Sequence, residues 1–535
     1  MSSILIKHVD FNYDSPYKNI FTDLDLVLDT SWRTGLVGRN GQGKSTLLAL
    51  LAGKLQPLAG RIEVSEQTIY FPGMANKAEL TLHVIKDAVA PFRAWEATMA
   101  SLLADGSCLA IAEYSVLQEL FQASGGYEID ANLAREFAEL GLNHDLLERP
   151  FGSLSGGEQT RALMSCLFCV DGLFPLIDEP TNHLDAQGRW QVADYLAKKS
   201  GFLLVSHDRQ FLDRSIDHVV SINKNDVQVN RGSYSSWKQH MAEIELAELR
   251  ARENIKREVK HLKKVAQQRR EGALSREVDK HTNDPSKGGS AMLNTGRIGH
   301  TAAKQMKRAL AAERRIDGKL ETKATLLKNQ EKDHVLKIQT SGQQRQALLI
   351  ANNISFAYNQ TDDSPLIFDN VSLTVNAGER IAISGANGCG KSTLLRVLAG
   401  DLAPIQGVVK KPNYVTVSRA YQHPLWQNGS LHQQLVEQSI DESRFRQTLG
   451  AFGLQGEVFD RPLETFSQGQ LKKVDLARSM LTDADYLIWD EPMNYIDVFS
   501  REQIEVAIME SLPTMIFVEH DQTFIDRVAT TVIQL

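Results

Sequence analysis

Gly38-Arg-Asn-Gly-Gln-Gly43-Lys44-Ser45-Thr46 returns downstream as Gly385-Ala-Asn-Gly-Cys-Gly390-Lys391-Ser392-Thr393, and this pair of stretches decides the fold. Both fit G-x-x-x-x-G-K-[ST], a turn whose glycines let backbone N–H groups approach phosphate oxygens. Asn40, Gly41 and Gly43 build the first turn, and Asn387, Gly388 and Gly390 the second. Each turn follows an apolar run (TGLVG, RIAISG) and leads into a helical one (STLLALLAG, STLLRVLAG). Strand, glycine turn and helix in that order predict an α/β fold, present twice. A lysine at the end of such a turn, Lys44 or Lys391, reaches the terminal phosphates of a nucleotide, and Ser45 or Ser392 after it suits magnesium.

Working outward, the duplication continues. Leu154-Ser-Gly-Gly-Glu158 has a counterpart in Phe466-Ser-Gln-Gly-Gln470, Asp178-Glu-Pro180 in Asp490-Glu-Pro492, and Ser206-His-Asp208 in Glu519-His-Asp521. From the serines to the acidic pairs the offset is a constant 312, whereas the lysines differ by 347. The first half therefore holds about 35 extra residues, which fall near 90–125. They carry no Lys or Arg after Arg93 and read as apolar-periodic helix, so an enlarged helical subdomain is favoured over a second arm that meets a polyanion.

The acidic pairs end apolar runs, LFPLIDEP and DYLIWDEP, that read as buried strands. Asp178 and Asp490 suit magnesium, and Glu179 and Glu491 stand where a general base would polarise an attacking water. His207 and His520 follow further apolar strands and would contact the γ-phosphate and orient that water, although lone histidines are often structural. Ser155 and Ser467 begin helical runs, so their hydroxyls and the N–H groups behind them form an anion site. Phosphoryl transfer rests on positioning and charge stabilisation, and a second wall around the γ-phosphate would make such a pocket competent.

At 535 residues, 42% hydrophobic and 23% charged, the chain suits two ordinary cores and an additional segment. No apolar stretch approaches the length of a membrane helix, and MSSILIKHVDFNY lacks the features of a secretory leader, so a cytoplasmic location is expected. Cys166 and Cys169 form a C-x-x-C inside an apolar run with no second ligand pair, which favours packing over metal or redox chemistry. The net charge of −7 is unevenly spread. Residues 234–340 hold 24 Lys and Arg against 14 Asp and Glu; the remainder holds 35 against 52. A basic segment in an acidic protein can meet a polyanion locally, or serve merely as a solvated linker. Trp237 to Leu262 and Ala302 to Leu327 have helical spacing, with HTNDPSKGGSAMLNTGRIG, rich in breakers, between them. This predicts an antiparallel hairpin over 235–340, between the duplicated domains at 1–234 and 341–535. Its first arm of some 45 residues would reach roughly 65 Å, with a tip around Pro285–Arg297.

The duplicated motif set resembles the ATP-binding-cassette ATPases. The resemblance implies ATP and Mg2+, hydrolysis to ADP and phosphate, and two sites that each use both cassettes. Site one would join Lys44, Ser45, Asp178, Glu179 and His207 to Ser467 and Gly469; site two would join Lys391, Ser392, Asp490, Glu491 and His520 to Ser155 and Gly157. Thr46 and Thr393 close the loops, and Asp185 and Asp497 match the element that couples the sites. Tyr13 and Tyr358 sit where the family stacks an aromatic on adenine, or are ordinary core residues. Gln422 fits the family's magnesium-contacting glutamine, whereas cassette one reads Tyr70-Phe-Pro-Gly73 there; its magnesium would lean on water, and the sites need not hydrolyse equally. Gln468 and Gln470 also depart from the common signature.

Two cassettes with a basic hairpin between them are similar to the ABC-F family over the whole chain. GSYSSWKQH and WDEPMNYIDVFSREQIE look most like its antibiotic-resistance branch. That implies a monomer whose cassettes pair within the chain, without a membrane partner. It would bind the ribosomal exit-tRNA site, meeting rRNA with or without the tRNA, with the hairpin tip reaching toward the peptidyl-transferase centre to displace bound drug. A housekeeping translation factor of the same family and the ATPase subunit of a transporter are the alternatives, the latter leaving the basic hairpin unexplained.

Overall fold

The computed structural model describes residues 2–14, 17–73, 75–182, 184–223, 227–281, 304, 307, 311, 314, 336–339, 347–358, 365–386, 388–454 and 456–535. Two units emerge, the paired cassettes (Met1–Ser235 with Lys332–Leu535) and the segment Ser236–Glu331.

Each cassette opens with an antiparallel sheet. In the first, β1 (Ser3–Asp14) lies between β2 (Tyr17–Asp29) and β4 (Ala59–Val64). Ile4 and Ile6, then Val9 and Phe11, face the core; the change of phase falls at a bulge where His8 takes φ +50°. The second sheet carries the chemistry. Its six strands run β5 (Gln67–Phe71), β6 (Leu173–Asp178), β7 (Phe202–Val205), β3 (Arg33–Gly38), β8 (His218–Ile222) and β9 (Val227–Arg231). All are parallel except β9.

Cassette two repeats the plan with β10 (Leu349–Phe356), β11 (Phe368–Val375) and β13 (Gln406–Lys410) in the antiparallel sheet. Its five-stranded parallel sheet runs β14 (Val417–Ala420), β15 (Tyr486–Asp490), β16 (Met515–Val518), β12 (Arg380–Ser384) and β17 (Thr531–Gln534). The apolar runs read as strands are strands, and β7, β15 and β16 are buried at every residue. Parallel strands covered on both faces read as unbroken hydrophobic stretches for this reason. In both cassettes the core lies between the antiparallel sheet, the parallel sheet and the helix that follows the glycine turn.

The extra residues of cassette one form two helices, Phe92–Asp105 and Cys108–Ala123. Phe92 is buried edge-on to Phe121, with ring centroids 5.6 Å apart. Cys166 and Cys169 are buried with free thiols that donate to the carbonyls of Leu163 and Cys166, so they serve packing. After β9 a single helix, Tyr234–His281, runs for 48 residues, roughly 70 Å at 1.5 Å per residue. The expected second arm is described only at Lys304, Lys307, Ala311 and Arg314, all helical; the expected tip lies outside the described residues. Among the described residues no helix is long and apolar enough to cross a membrane.

Candidate active site

The order β6-β7-β3 in one sheet and β15-β16-β12 in the other brings the glycine turns, the acidic pairs and the histidines to the same carboxyl edge of the strands, the crevice where open α/β sheets bind ligands. Gly43 (φ +96°) and Gly390 (φ +100°) open the helices Lys44–Leu51 and Lys391–Ala399 from the left-handed region. A Cβ on either would stand 2.5 Å from an isoleucine methyl, Ile20 or Ile367. Lys44 Nζ donates to the carbonyls of Gly38 (2.7 Å) and Arg39 (3.2 Å), and Lys391 Nζ to those of Gly385 and Ala386 (2.8 Å each). The ammonium is thus held inside its own glycine turn. Burial pulls the Lys44 ammonium below its ordinary pKa, opposed by Asp497 and Glu179.

Tyr13 and Tyr358 are 41% and 61% exposed, so neither is a core residue. Their hydroxyls meet Thr46 and Thr393 at 3.2 and 3.0 Å, and each ring stands edge-on to a phenylalanine, Phe11 or Phe356. Both rings therefore border the loops with area to spare for a flat ligand. Asn387, the counterpart of Asn40, lies outside the described residues.

Glu179 and Glu491 adopt positive φ (+49° and +46°), a strain of order 1–3 kcal/mol each, held by amides that donate to Val205 and Val518 on the neighbouring strands. His207 Nε2 stands 3.4 Å from Glu179 Oε1, and His520 Nε2 3.5 Å from Glu491 Oε1. Each cassette thus pairs a carboxylate with an imidazole. The pairs differ in charge. Burial, with Asp178 beside it, pushes Glu179 up to about 8, and its Oε1 is buried without a hydrogen bond among the described residues. Burial also acts on Glu491, but His520 and Lys472 outweigh it and bring the carboxyl below its ordinary value. His207 is held well below the usual imidazole range by burial and by Lys44, and is neutral.

The surroundings of the magnesium candidates differ too. In cassette two Ser392 hydrogen-bonds to Asp490, whose Oδ1 is buried without a partner among the described residues, and burial raises this carboxyl to about 6. A buried, unpaired carboxylate oxygen beside a hydroxyl fits a hard cation. Gln422 donates to Glu491 Oε2 at 3.1 Å, as does Asn494 at 2.6 Å. In cassette one Phe71 pairs with Ile177 as Ala420 pairs with Trp489, so Gly73 takes the place of Gln422. Tyr70 fills the gap from the strand, its hydroxyl donating to Asp178 Oδ2 at 3.0 Å. Gly73 offers no side chain to a cation, and the Tyr70 phenol, which the sequence did not single out, stands on the Asp178 carboxylate.

The cassettes meet at site one. The Asn40 amide donates to Asp497 Oδ2 (3.3 Å) and its side chain to the Tyr495 carbonyl (2.9 Å). Gly469 packs there so closely that a Cβ would lie 2.8 Å from that carbonyl and 3.3 Å from Asn40 Nδ2. Asp497 also accepts from Lys473 at 2.7 Å; burial opposes ionisation, but Lys473 holds the carboxyl well below the usual range. Ser467 and Ser155 cap the helices Gln468–Leu481 and Gly156–Ser165 in capping boxes with Gln470 and Glu158. Arg189–Asp208 (3.1 Å) and Arg501–Asp521 (3.4 Å) repeat one tie in both cassettes, whereas Arg209–Glu505 crosses between them. Arg209 and Glu505 were not legible as site residues, since nothing local in the sequence marks a charge as buried against a segment some 300 residues away, and Lys473 was not, since only packing buries it against Asp497.

A sequence model described as ABC transporter matches residues 21–182 and 368–494, together more than half of the chain. ATP-binding cassette sub-family F member 2 of Mus musculus is 26% identical over 96% of this chain and 77% of its own length. ABC transporter F family member 5 of Arabidopsis thaliana is 26% identical over 98% of this chain and 74% of its own. Among solved structures, an archaeal ribosome recycling factor, aABCE1, in complex with ribosomal stalk protein aP1 superposes with a TM-score of 0.56 at 19% identity, covering 98% of this chain and 87% of that one. With its family match in both halves and relatives of the F subfamily along nearly its whole length, the chain belongs to the ATP-hydrolysing cassettes of the ABC transporter family, in the F branch.

Proposed function

We propose that this ATPase is a ribosome-acting factor gated by its own cassettes. What carries the reading is the junction of Asn40 with Tyr495, Asp497 and Gly469, because ATP on Lys44 would lie against the signature of the other cassette and hold the halves together. Ser45 with Asp178, and Ser392 with Asp490 and Gln422, would hold Mg2+, which supplies charge stabilisation at the phosphates. Lys44 and Lys391 bind the terminal phosphates; Glu179 and Glu491 take the proton of the attacking water; His207 and His520 orient it. Binding closes the pair and hydrolysis opens it.

Closure matters if it grips a partner, and the chemistry of the intervening segment suits RNA. The segment is basic while the rest of the chain is acidic, and structured RNA is met largely through shape and phosphates. The archaeal factor of similar fold is a ribosome recycling factor solved with a ribosomal stalk protein, which supports a ribosomal partner here. The finer reading is occupancy of the exit-tRNA site, contact with rRNA, and displacement of antibiotics near the peptidyl-transferase centre by residues around Pro285–Arg297. It rests on the likeness of GSYSSWKQH and WDEPMNYIDVFSREQIE to the resistance branch.

The test is co-sedimentation. Glu179→Gln with Glu491→Gln should remain on ribosomes in ATP and leave in ADP; equal retention in both nucleotides refutes gating, and no retention in either refutes the ribosomal partner. Removal of residues 286–296 should spare ATPase activity and abolish growth on peptidyl-transferase drugs. A host that gains no such growth from the intact chain would favour a housekeeping translation factor.

A further inference from the structure

The helix Gln468–Leu481 is buried on nearly all sides, and it encloses Lys472, whose charge helps to lower the Glu491 carboxyl and whose hydrogen bonds go to backbone. Lys472 is 1% exposed. Its ammonium donates to the carbonyl of Tyr421 at 2.7 Å and to that of Asp490 at 3.3 Å. Those two residues immediately precede Gln422 and Glu491, which belong to site two. The same helix begins at Ser467, and Gly469, one turn before Lys472, packs against Asn40 of site one. One rigid element therefore has its first turn in one site and a buried side chain on the backbone of the other.

An ammonium suits this task. Two carbonyls on separate segments demand two N–H donors at diverging angles, and a lysine offers three on a compact head. Burying the charge is expensive unless such acceptors receive it, so the position is costly to keep for packing alone. The counterpart in cassette one is Thr160, whose hydroxyl donates to Gly156 in its own helix at 3.0 Å. The tie runs from site one to site two and has no mirror image.

We propose that Lys472 is a positioning residue that couples nucleotide occupancy of site one to hydrolysis at site two. ATP that engages Ser467 and Gly469 shifts the start of the helix; Lys472 carries the shift to the carbonyls of Tyr421 and Asp490, and so re-aims Gln422 and Glu491 at the water. This rests on the reading that site one is completed by the signature of cassette two.

Site-two turnover is measured in two backgrounds, Glu179→Gln, where site one binds MgATP without hydrolysing it, and Lys44→Ala, where site one is empty. With Lys472 present the two rates should differ by about tenfold, within the usual range of allosteric coupling. Lys472→Met should bring the ratio to within about twofold. Equal losses in both backgrounds, with the ratio preserved, would make Lys472 a mere core staple and overturn the proposal. A ratio near one already with Lys472 in place also overturns it, through failure of the shared-site reading and not of the lysine. If Lys472→Met does not fold, amide exchange is followed at residues 420–423 in Lys391→Ala, where only site one can fill. MgATP should slow that exchange several-fold, and an unchanged rate refutes the coupling.

Discussion

Arg209 of cassette one donates to both carboxylate oxygens of Glu505 in cassette two, and Glu505 is wholly buried. Arg527, from its own cassette, also reaches Glu505 at 2.9 Å, but is half exposed. The counterpart positions of Glu505 and Arg209 hold Ala193 and Gln522, so the pseudo-symmetric cassettes are clasped on one side by charge. Removing one member of a buried pair strands its partner, so Glu505→Gln should cost about 3–5 kcal/mol. Arg527→Gln should cost less than about 1 kcal/mol, because water already screens it. Calorimetric unfolding of the ATP-free protein decides; similar small losses for both would mean that Arg209–Glu505 is not a clasp.

The two candidate bases should show different pH profiles. With Glu491→Gln only Glu179 remains, and because its carboxyl titrates near 8, turnover should climb as pH rises through that value. With Glu179→Gln only Glu491 remains; it lies below its ordinary value, so its ionisation adds no rise over the same window. Stability runs the other way. Between 4.5 and 8 the folded chain binds more protons at Glu179 than the unfolded chain, so stability falls as pH rises. Glu179→Gln removes that penalty, and its melting temperature relative to the native protein should be higher at about pH 8 than at about pH 5.

Those partnerships mark where the sequence stopped being readable. The cores and phosphate loops were legible because parallel strands such as β15 are unbroken apolar runs, and because glycine at 43 and 390 is dictated locally by positive φ. The helical insertion was legible from its periodicity, but as one run; Gly106 and Ser107 divide it. Lys472, Lys473 and Glu505 were not. A charged residue is ordinarily solvated, and only tertiary packing turns helix Gln468–Leu481 into one buried all round. Tyr70 escaped for a different reason. It faces Asp178 only because β5 lies beside β6, a neighbour relation that no local spacing encodes.

Tyr70 should weaken the cation affinity of site one. Its hydroxyl occupies Asp178 Oδ2, whereas Asp490 Oδ1 in the other cassette is unpaired among the described residues. Tyr70→Phe deletes one hydrogen bond to a charged group and leaves the ring under Lys54 Nζ, 3.8 Å from its centroid. A bond of that kind contributes about 1.5 kcal/mol, so the Mg2+ concentration that half-saturates ATP binding should fall roughly tenfold. Titration in Lys391→Ala isolates site one; an unchanged or higher midpoint would show that the phenol assists the cation.

Gly469→Ala tests the junction of the cassettes at site one. Gly469 lies in the first turn of its helix, and alanine favours a helix over glycine by about 0.5–1 kcal/mol, so helix propensity does not oppose the change. The added Cβ would stand 2.8 Å from the Tyr495 carbonyl of the same cassette and 3.3 Å from Asn40 Nδ2 across the interface. The first neighbour is backbone and cannot swing aside, so the segment that presents the Tyr495 carbonyl to Asn40 must shift, and the junction with it. MgATP affinity at site one, measured by calorimetry in Lys391→Ala, should fall about tenfold, or 1.4 kcal/mol. An interface that plays no part in binding would leave affinity untouched; a nucleotide pressed between Asn40 and the opposite signature requires the loss.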